Sequence, residues 1–200
     1  MASFNHQQNG SMRVAVIGAS RGIGKELVKQ LVEMKDTQVI ASTRSPSTNL
    51  DGSNVKLVTL DITNDASVTA AAKTISKLDI LIINAAMGNN DTLLGTSSDD
   101  LVSYLNTNVV GPNRVIKAFL PALLAGKMRK IIVISSTSGS NELQRGKRVG
   151  FNGPYSVSKA ALNMLAVQYH NELQDQGFTV VPIHPGGLQL IWGISLARVE

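Results

Sequence analysis

The sequence predicts a doubly wound α/β fold, with a mainly parallel sheet as the middle layer of a three-layer sandwich. Short runs rich in Val and Ile alternate with longer segments of helical periodicity, two of the runs are apolar throughout, and a glycine-rich turn joins the first run to the first helical segment. The apolar runs lie at 13–17, 38–42, 55–61, 80–83, 130–135 and 179–184. Between them, residues 23–34, 67–75, 99–124 and 155–176 carry apolar side chains at three- and four-residue intervals, the spacing of amphipathic helices. Residues 14–17 and 80–83 are continuously apolar, so both faces of those strands are covered and the sheet lies between two helical layers.

With 200 residues, 43% of them hydrophobic, the chain can bury one sizeable core. One domain is expected over residues 13–200, behind a polar tail at 1–12. No apolar run approaches the roughly 20 residues of a membrane helix. The start MASFNHQQNG lacks the basic and apolar regions of a signal peptide, so a cytoplasmic address without a membrane partner is expected. The absence of cysteine excludes disulfides, thiolate metal sites and cysteine nucleophiles. His6, His170 and His184 share no ligand spacing, and no metal is expected. The net charge of +5 is spread along the chain, with KMRK at 127–130 its densest cluster, and nucleic acid is not expected as a partner.

Gly18, Gly22 and Gly24 fall between the first strand and first helix. The first permits a tight turn, the second lets backbone approach a pyrophosphate, and the third lets the helix pack on the strand. Ser20, Arg21 and Ile23 complete this turn, and the helix N-terminus offers free N–H groups and a positive dipole end to phosphates. Such a turn directly after a buried strand marks a Rossmann-like dinucleotide site. At the end of the second strand, where NAD-binding folds place a carboxylate on the ribose, this chain has Ala41-Ser42-Thr43-Arg44. Arg44, with Arg21, would pair with a 2′-phosphate, which favours NADP(H). The alternative is two solvated surface arginines. Asp61 and Ile62 are placed either to meet the adenine or, for Asp61, to cap the following helix.

Tyr155 and Lys159 stand four residues apart, on one face of a helix. A phenol is a poor base at neutral pH, and an adjacent ammonium is expected to favour its phenolate. Ser135 and Ser136 end the fifth strand, where a hydroxyl would hold a substrate carbonyl oxygen beside the tyrosine, and Asn108 is placed to bind water between the lysine and solvent.

Gly18-x-x-x-Gly22-x-Gly24, Asp61, Asn84-Ala85-Ala86, Asn108, Ser136 and Tyr155 to Lys159 occur in an order that resembles the short-chain dehydrogenase/reductase family, over about residues 12–186. Within it the chain looks nearest to carbonyl-reductase-like members that use NADPH. The resemblance implies Tyr155 as general acid/base, Lys159 as its pKa-lowering and ribose-binding partner, Ser136 as substrate-oxygen anchor and Asn108 as relay residue. It also places Asn84, Ala85, Ala86, Pro185 and Gly186 against the cofactor, with a small carbonyl or alcohol as substrate and a homodimer or homotetramer as the assembly.

The chain departs from the family pattern in three places. Ala86 stands where the family has glycine, which crowds the cofactor edge. The stretch from Ser136 to Tyr155 is long and carries Arg145, Lys147 and Arg148, so Ser138 competes with Ser136 as the anchor. After Pro185-Gly186 the expected threonine and substrate-covering helix are replaced by residues 187–200, as though the reading frame or gene boundary shifted after Gln189. An impaired, nucleotide-binding protein is the alternative to an active oxidoreductase.

Overall fold

The computed structural model describes residues 11–45, 50, 52–146 and 151–186. The expectations for the tail before residue 11, for Lys147 and Arg148, and for the divergent end from residue 187 fall outside the described residues.

Six strands, β1 (Met12–Ile17), β2 (Thr37–Thr43), β3 (Val55–Thr59), β4 (Ile80–Ile83), β5 (Lys130–Ile134) and β6 (Thr179–Ile183), form one sheet in the order β3-β2-β1-β4-β5-β6. Every pairing among them is parallel, as continuous rather than alternating apolar runs require. The chain works outward from β1 to β3, then returns across the sheet to β4, and Ile17 pairs with Ile83. The strand order therefore reverses between β1 and β4, and that reversal opens a crevice at their carboxyl ends. At the opposite end, the buried Asp79 accepts from Arg13 N–H at 2.9 Å and from Lys127 N–H at 2.8 Å, tying the feet of β1 and β5 to β4.

Helices α1 (Gly22–Glu33), α2 (Asp65–Lys73), α3 (Ser98–Leu105), α4 (Gly111–Leu124), α5 (Asn141–Gln144) and α6 (Pro154–Leu173) complete the layers. On one face, Ile17, Leu81, Ile83, Ile131 and Val133 pack with Val68 of α2, Ile116 and Phe119 of α4, and Leu162 and Ala166 of α6. On the other, Val14, Val16, Val39 and Ala41 pack with Val28 of α1. The predicted elements all form, and short turns at 93–95 and 137–139 and the four-residue α5 add to them.

The segment expected as one helix over 99–124 contains a π-helical turn at Asn106–Val110 between α3 and α4. Pro112 supplies a physical reason, because it has no N–H to give the Asn108 carbonyl that an α-turn would serve. Gly111 follows the turn, and a Cβ there would meet Ile62 Cγ1 at 2.7 Å, so α4 lies directly on the loop after β3.

Candidate active site

The glycine turn is built as its spacing predicts. Gly18 has φ +87°, and a Cβ there would meet Ala85 Cα at 2.7 Å. A Cβ on Gly24 would run into the Gly18 carbonyl oxygen. The turn is braced from behind: Asn84 Nδ2 donates to Gly18 O at 2.8 Å, and Gly18 N–H donates to Ser42 Oγ at 3.0 Å. Asn84 thus acts on the turn itself, while Ala86 is exposed along the crevice. At the start of α1, Arg21 makes no side-chain cap and no acid lies in the first turn, so the helix N-terminus keeps its donors and positive dipole end facing the crevice. A cradle that excludes Cβ atoms, next to an uncapped helix start, fits a dinucleotide pyrophosphate.

Arg44 is exposed at the end of β2, and its charge helps hold the Asp61 carboxyl below the usual carboxylate range. The larger causes of that shift are the hydrogen bonds from the Thr63 side chain and backbone. Asp61 Oδ1 accepts from Thr63 N–H at 2.9 Å and from Thr63 Oγ1 at 2.7 Å, so its side chain closes a local turn. The helix-cap reading of Asp61 is corrected, since Asn64 Oδ1 caps α2 by accepting from Ser67 N–H at 2.9 Å. Arg44, Asp61 and buried Ile62 consequently gather at the β2–β3 side of the crevice.

On the β4–β5 side, α6 starts just after Gly153, whose φ is +60°. Tyr155 is half-buried, and the Ser136 side chain lies near enough to act on its phenol. Ser136 caps the turn Thr137–Gly139 by accepting from Ser138 N–H at 3.1 Å, whereas Ser138 is buried, so Ser136 is the serine presented to Tyr155. Lys159 is 2% exposed, donates to the Ile134 carbonyl at 2.7 Å, and holds Nζ 5.5 Å from the Tyr155 ring centroid. Phe151 packs edge-on to Tyr155 with centroids 5.4 Å apart, and a Cβ on Gly88 would touch Tyr155 Cε2 at 2.9 Å. Sequence reasoning did not foresee either neighbour.

The expected lowering of the phenol is corrected. Burial pushes Tyr155 upward, with the Ser136 side chain acting the other way, and burial lowers Lys159 to about 8. The ammonium faces the Ile134 carbonyl rather than the phenol oxygen, which explains why spacing alone misjudged the direction. Asn108 is buried in the π turn. Its Oδ1 accepts from Met87 N–H at 2.9 Å, and its Nδ2 donates to Met87 O at 2.8 Å and Ser158 Oγ at 2.9 Å. The side chain expected to bind water is instead spent on protein groups. Pro185 and Gly186 follow β6 at the same end of the sheet, Gly186 with φ +83°.

The strand order and the glycine turn at its reversal define a dinucleotide-binding α/β protein. More narrowly, residues 12–190 match the family model described as short chain dehydrogenase, and the chain belongs to that family of oxidoreductases. It is 39% identical over 184 residues to an uncharacterized oxidoreductase of Schizosaccharomyces pombe, across 86% of this chain and 71% of that protein. A short-chain dehydrogenase/reductase of Arthrinium sp is 33% identical over 193 residues, covering 86% and 73%. The crystal structure of an NADPH-bound carbonyl reductase from chicken fatty liver superposes with a TM-score of 0.86 at 30% identity, covering 94% of this chain and 80% of that one.

Proposed function

We propose that the chain is an NADP(H)-dependent oxidoreductase that interconverts a carbonyl and an alcohol, with Tyr155 as general acid/base. The observation that carries the reading is the convergence of the Tyr155 phenol, the Ser136 hydroxyl and the buried Lys159 ammonium at one end of the sheet whose other half holds the glycine cradle. Likeness to the NADPH-bound chicken carbonyl reductase supports the choice of cofactor.

Gly18, Ser20, Arg21, Gly22, Ile23 and Gly24 would hold the pyrophosphate, Arg44 with Arg21 the 2′-phosphate, and Asp61 with Ile62 the adenine. Asn84, Ala85, Ala86, Pro185 and Gly186 would border the nicotinamide half. The bound cofactor supplies the hydride. Ser136 holds the substrate oxygen, and Tyr155 gives it the proton in reduction. A phenol kept protonated by burial is suited to that direction. Lys159, already low in pKa, would hold the cofactor's ribose and would return the proton to Tyr155. Because the Asn108 side chain is occupied, its relay role falls to the backbone carbonyl that Pro112 deprives of an α-helical donor. The exposed Val102 and Val110 along α3 and the π turn, with Val157, Met164 and Val167 on α6, suit the homodimer face expected from the family.

The test is NADPH consumption by the 200-residue chain against a panel of aldehydes and ketones, beside Tyr155→Phe, with NADPH binding followed by fluorescence. Turnover that disappears in Tyr155→Phe while binding persists supports the reading. Binding without turnover in the parent chain overturns it in favour of the impaired alternative.

A further inference from the structure

Asn163 lies on α6 one turn beyond Lys159 and two beyond Tyr155, outside every motif noted above. We propose that Asn163 is a positioning residue: it ties both flanks of Ser136 to the helix that carries Tyr155 and Lys159, and so sets where the substrate-anchoring hydroxyl stands. The proposal rests on the oxidoreductase reading.

The tether has two ends. Ser135 Oγ donates to Asn163 Oδ1 at 2.5 Å, just before Ser136, and Asn163 Nδ2 donates at 3.3 Å to the carbonyl of Gly139, the last residue of the turn that Ser136 caps. Between these points the segment lies backbone to backbone on α6, since a Cβ on Gly139 would meet Lys159 C at 2.6 Å and Ala160 N at 2.8 Å. The Ser136 hydroxyl is oriented in turn by Ser138 N–H, at 3.1 Å. Ser136 is therefore referenced through one amide side chain to the same rigid helix as the phenol and the ammonium. A neutral amide serves both flanks, because its oxygen accepts from the Ser135 hydroxyl while its nitrogen donates to the Gly139 carbonyl. Displacements of about 1 Å at reacting groups cost up to roughly a hundredfold in rate, so such a ruler has catalytic weight without touching substrate.

The experiment reads Tyr155 directly, by ring-carbon NMR of labelled tyrosine in the cofactor-free protein. The chain holds 3 tyrosines, and the Tyr155 signal is the one lost in Tyr155→Phe. The groups acting on its titration are the Ser136 hydroxyl, which lowers it, and burial, which raises it; the Lys159 ammonium lies over the ring. Asn163→Ala is expected to raise the Tyr155 pKa in the direction of Ser136→Ala, with the double variant no higher than Ser136→Ala alone. Ser135→Ala severs the same tether at a small side chain and should shift Tyr155 the same way even where Asn163→Ala folds poorly. In NADPH-linked reduction of para-nitrobenzaldehyde, Asn163→Ala should lower kcat/KM roughly tenfold in the parent background and leave Ser136→Ala unchanged. A Tyr155 titration that stays at the parent value in both Asn163→Ala and Ser135→Ala, or that adds to the Ser136→Ala shift, overturns the proposal. If the parent chain shows no turnover while the coupled tyrosine shift is present, the oxidoreductase reading fails and the tether stands.

Discussion

Asn108 Nδ2 donates to Ser158 Oγ at 2.9 Å in the protein interior, and that hydroxyl donates onward to the Tyr155 carbonyl at 2.7 Å. The π turn is thereby fastened to the first turn of α6, and through Met87 to the loop after β4. Replacing Asn108 by Leu, a residue of similar size, would strip Met87 of a partner for both its N–H and its C=O. Unmade bonds of this kind cost about 1–3 kcal/mol each. We expect Asn108→Leu to lower the urea midpoint by the equivalent of at least about 2 kcal/mol and to reduce turnover sharply.

Lys159 makes stability depend on alkaline pH. Burial lowers its pKa to about 8, while the unfolded chain keeps a lysine near its ordinary value of about 10.4. Between those values the unfolded state binds more protons than the folded state, so stability rises with pH. The contribution is present above about pH 10 and is lost as pH falls through about 8. Buried phenols act at the far side: Tyr104 is pushed up to about 12 by burial and by its bond to Asp91, so its contribution is present below about 10 and lost as pH rises toward 12. Urea unfolding of the cofactor-free protein should show parent stability gaining on Lys159→Met from about pH 8 to pH 10. A difference that stays flat across that window would refute the assignment.

Gly18 is the position where the cradle tolerates no side chain. Its positive φ and the 2.7 Å approach to Ala85 Cα add strain to steric overlap in Gly18→Ala. The expected result is a loss of about 2 kcal/mol in thermal or urea unfolding, and NADPH fluorescence binding weakened at least tenfold.

On the proposed reading, Arg44 is the residue that would choose between the two nicotinamide cofactors. Charge-assisted hydrogen bonds contribute about 1.5–3 kcal/mol, so Arg44→Ser should weaken NADPH roughly tenfold or more and leave NADH affinity nearly unchanged. Equal loss for both cofactors would show that Arg44 does not meet a 2′-phosphate.

Strands were the most legible part of the sequence: the central β1 and β4 are covered on both faces and so apolar in a continuous run, and the outer strands β3 and β6, though partly exposed, keep Val-rich runs. The six observed strands fall within two residues of the apolar runs. The run 55–61 overshoots, since β3 stops at Thr59 and Asp61 turns the chain through Thr63. Helix 99–124 read as uninterrupted, because a π turn changes the periodicity by only one residue. Pro112, four residues after Asn108, was the available signal. The glycine turn, and the placement of Tyr155 and Lys159 on one helix, were legible because local spacing sets both. The direction of the Tyr155 shift was not, because it depends on where the Lys159 ammonium finds an acceptor. Asn163 carried no signal, since its partners lie 28 and 24 residues away.

The knot at Asp79 has a consequence for how the chain acquires its shape. The Asp79 carboxylate grips a backbone amide 66 residues earlier and another 48 residues later, and β1 gains its second neighbour only when β4 arrives. A nascent chain that has emitted β1, β2 and β3 therefore holds a half-sheet with its innermost edge open, and closure waits on a long loop whose entropy is spent before contacts repay it. Folding should be slow for a protein of this size, and Asp79→Asn should slow refolding more than it speeds unfolding, placing this foot of the sheet in the folding nucleus.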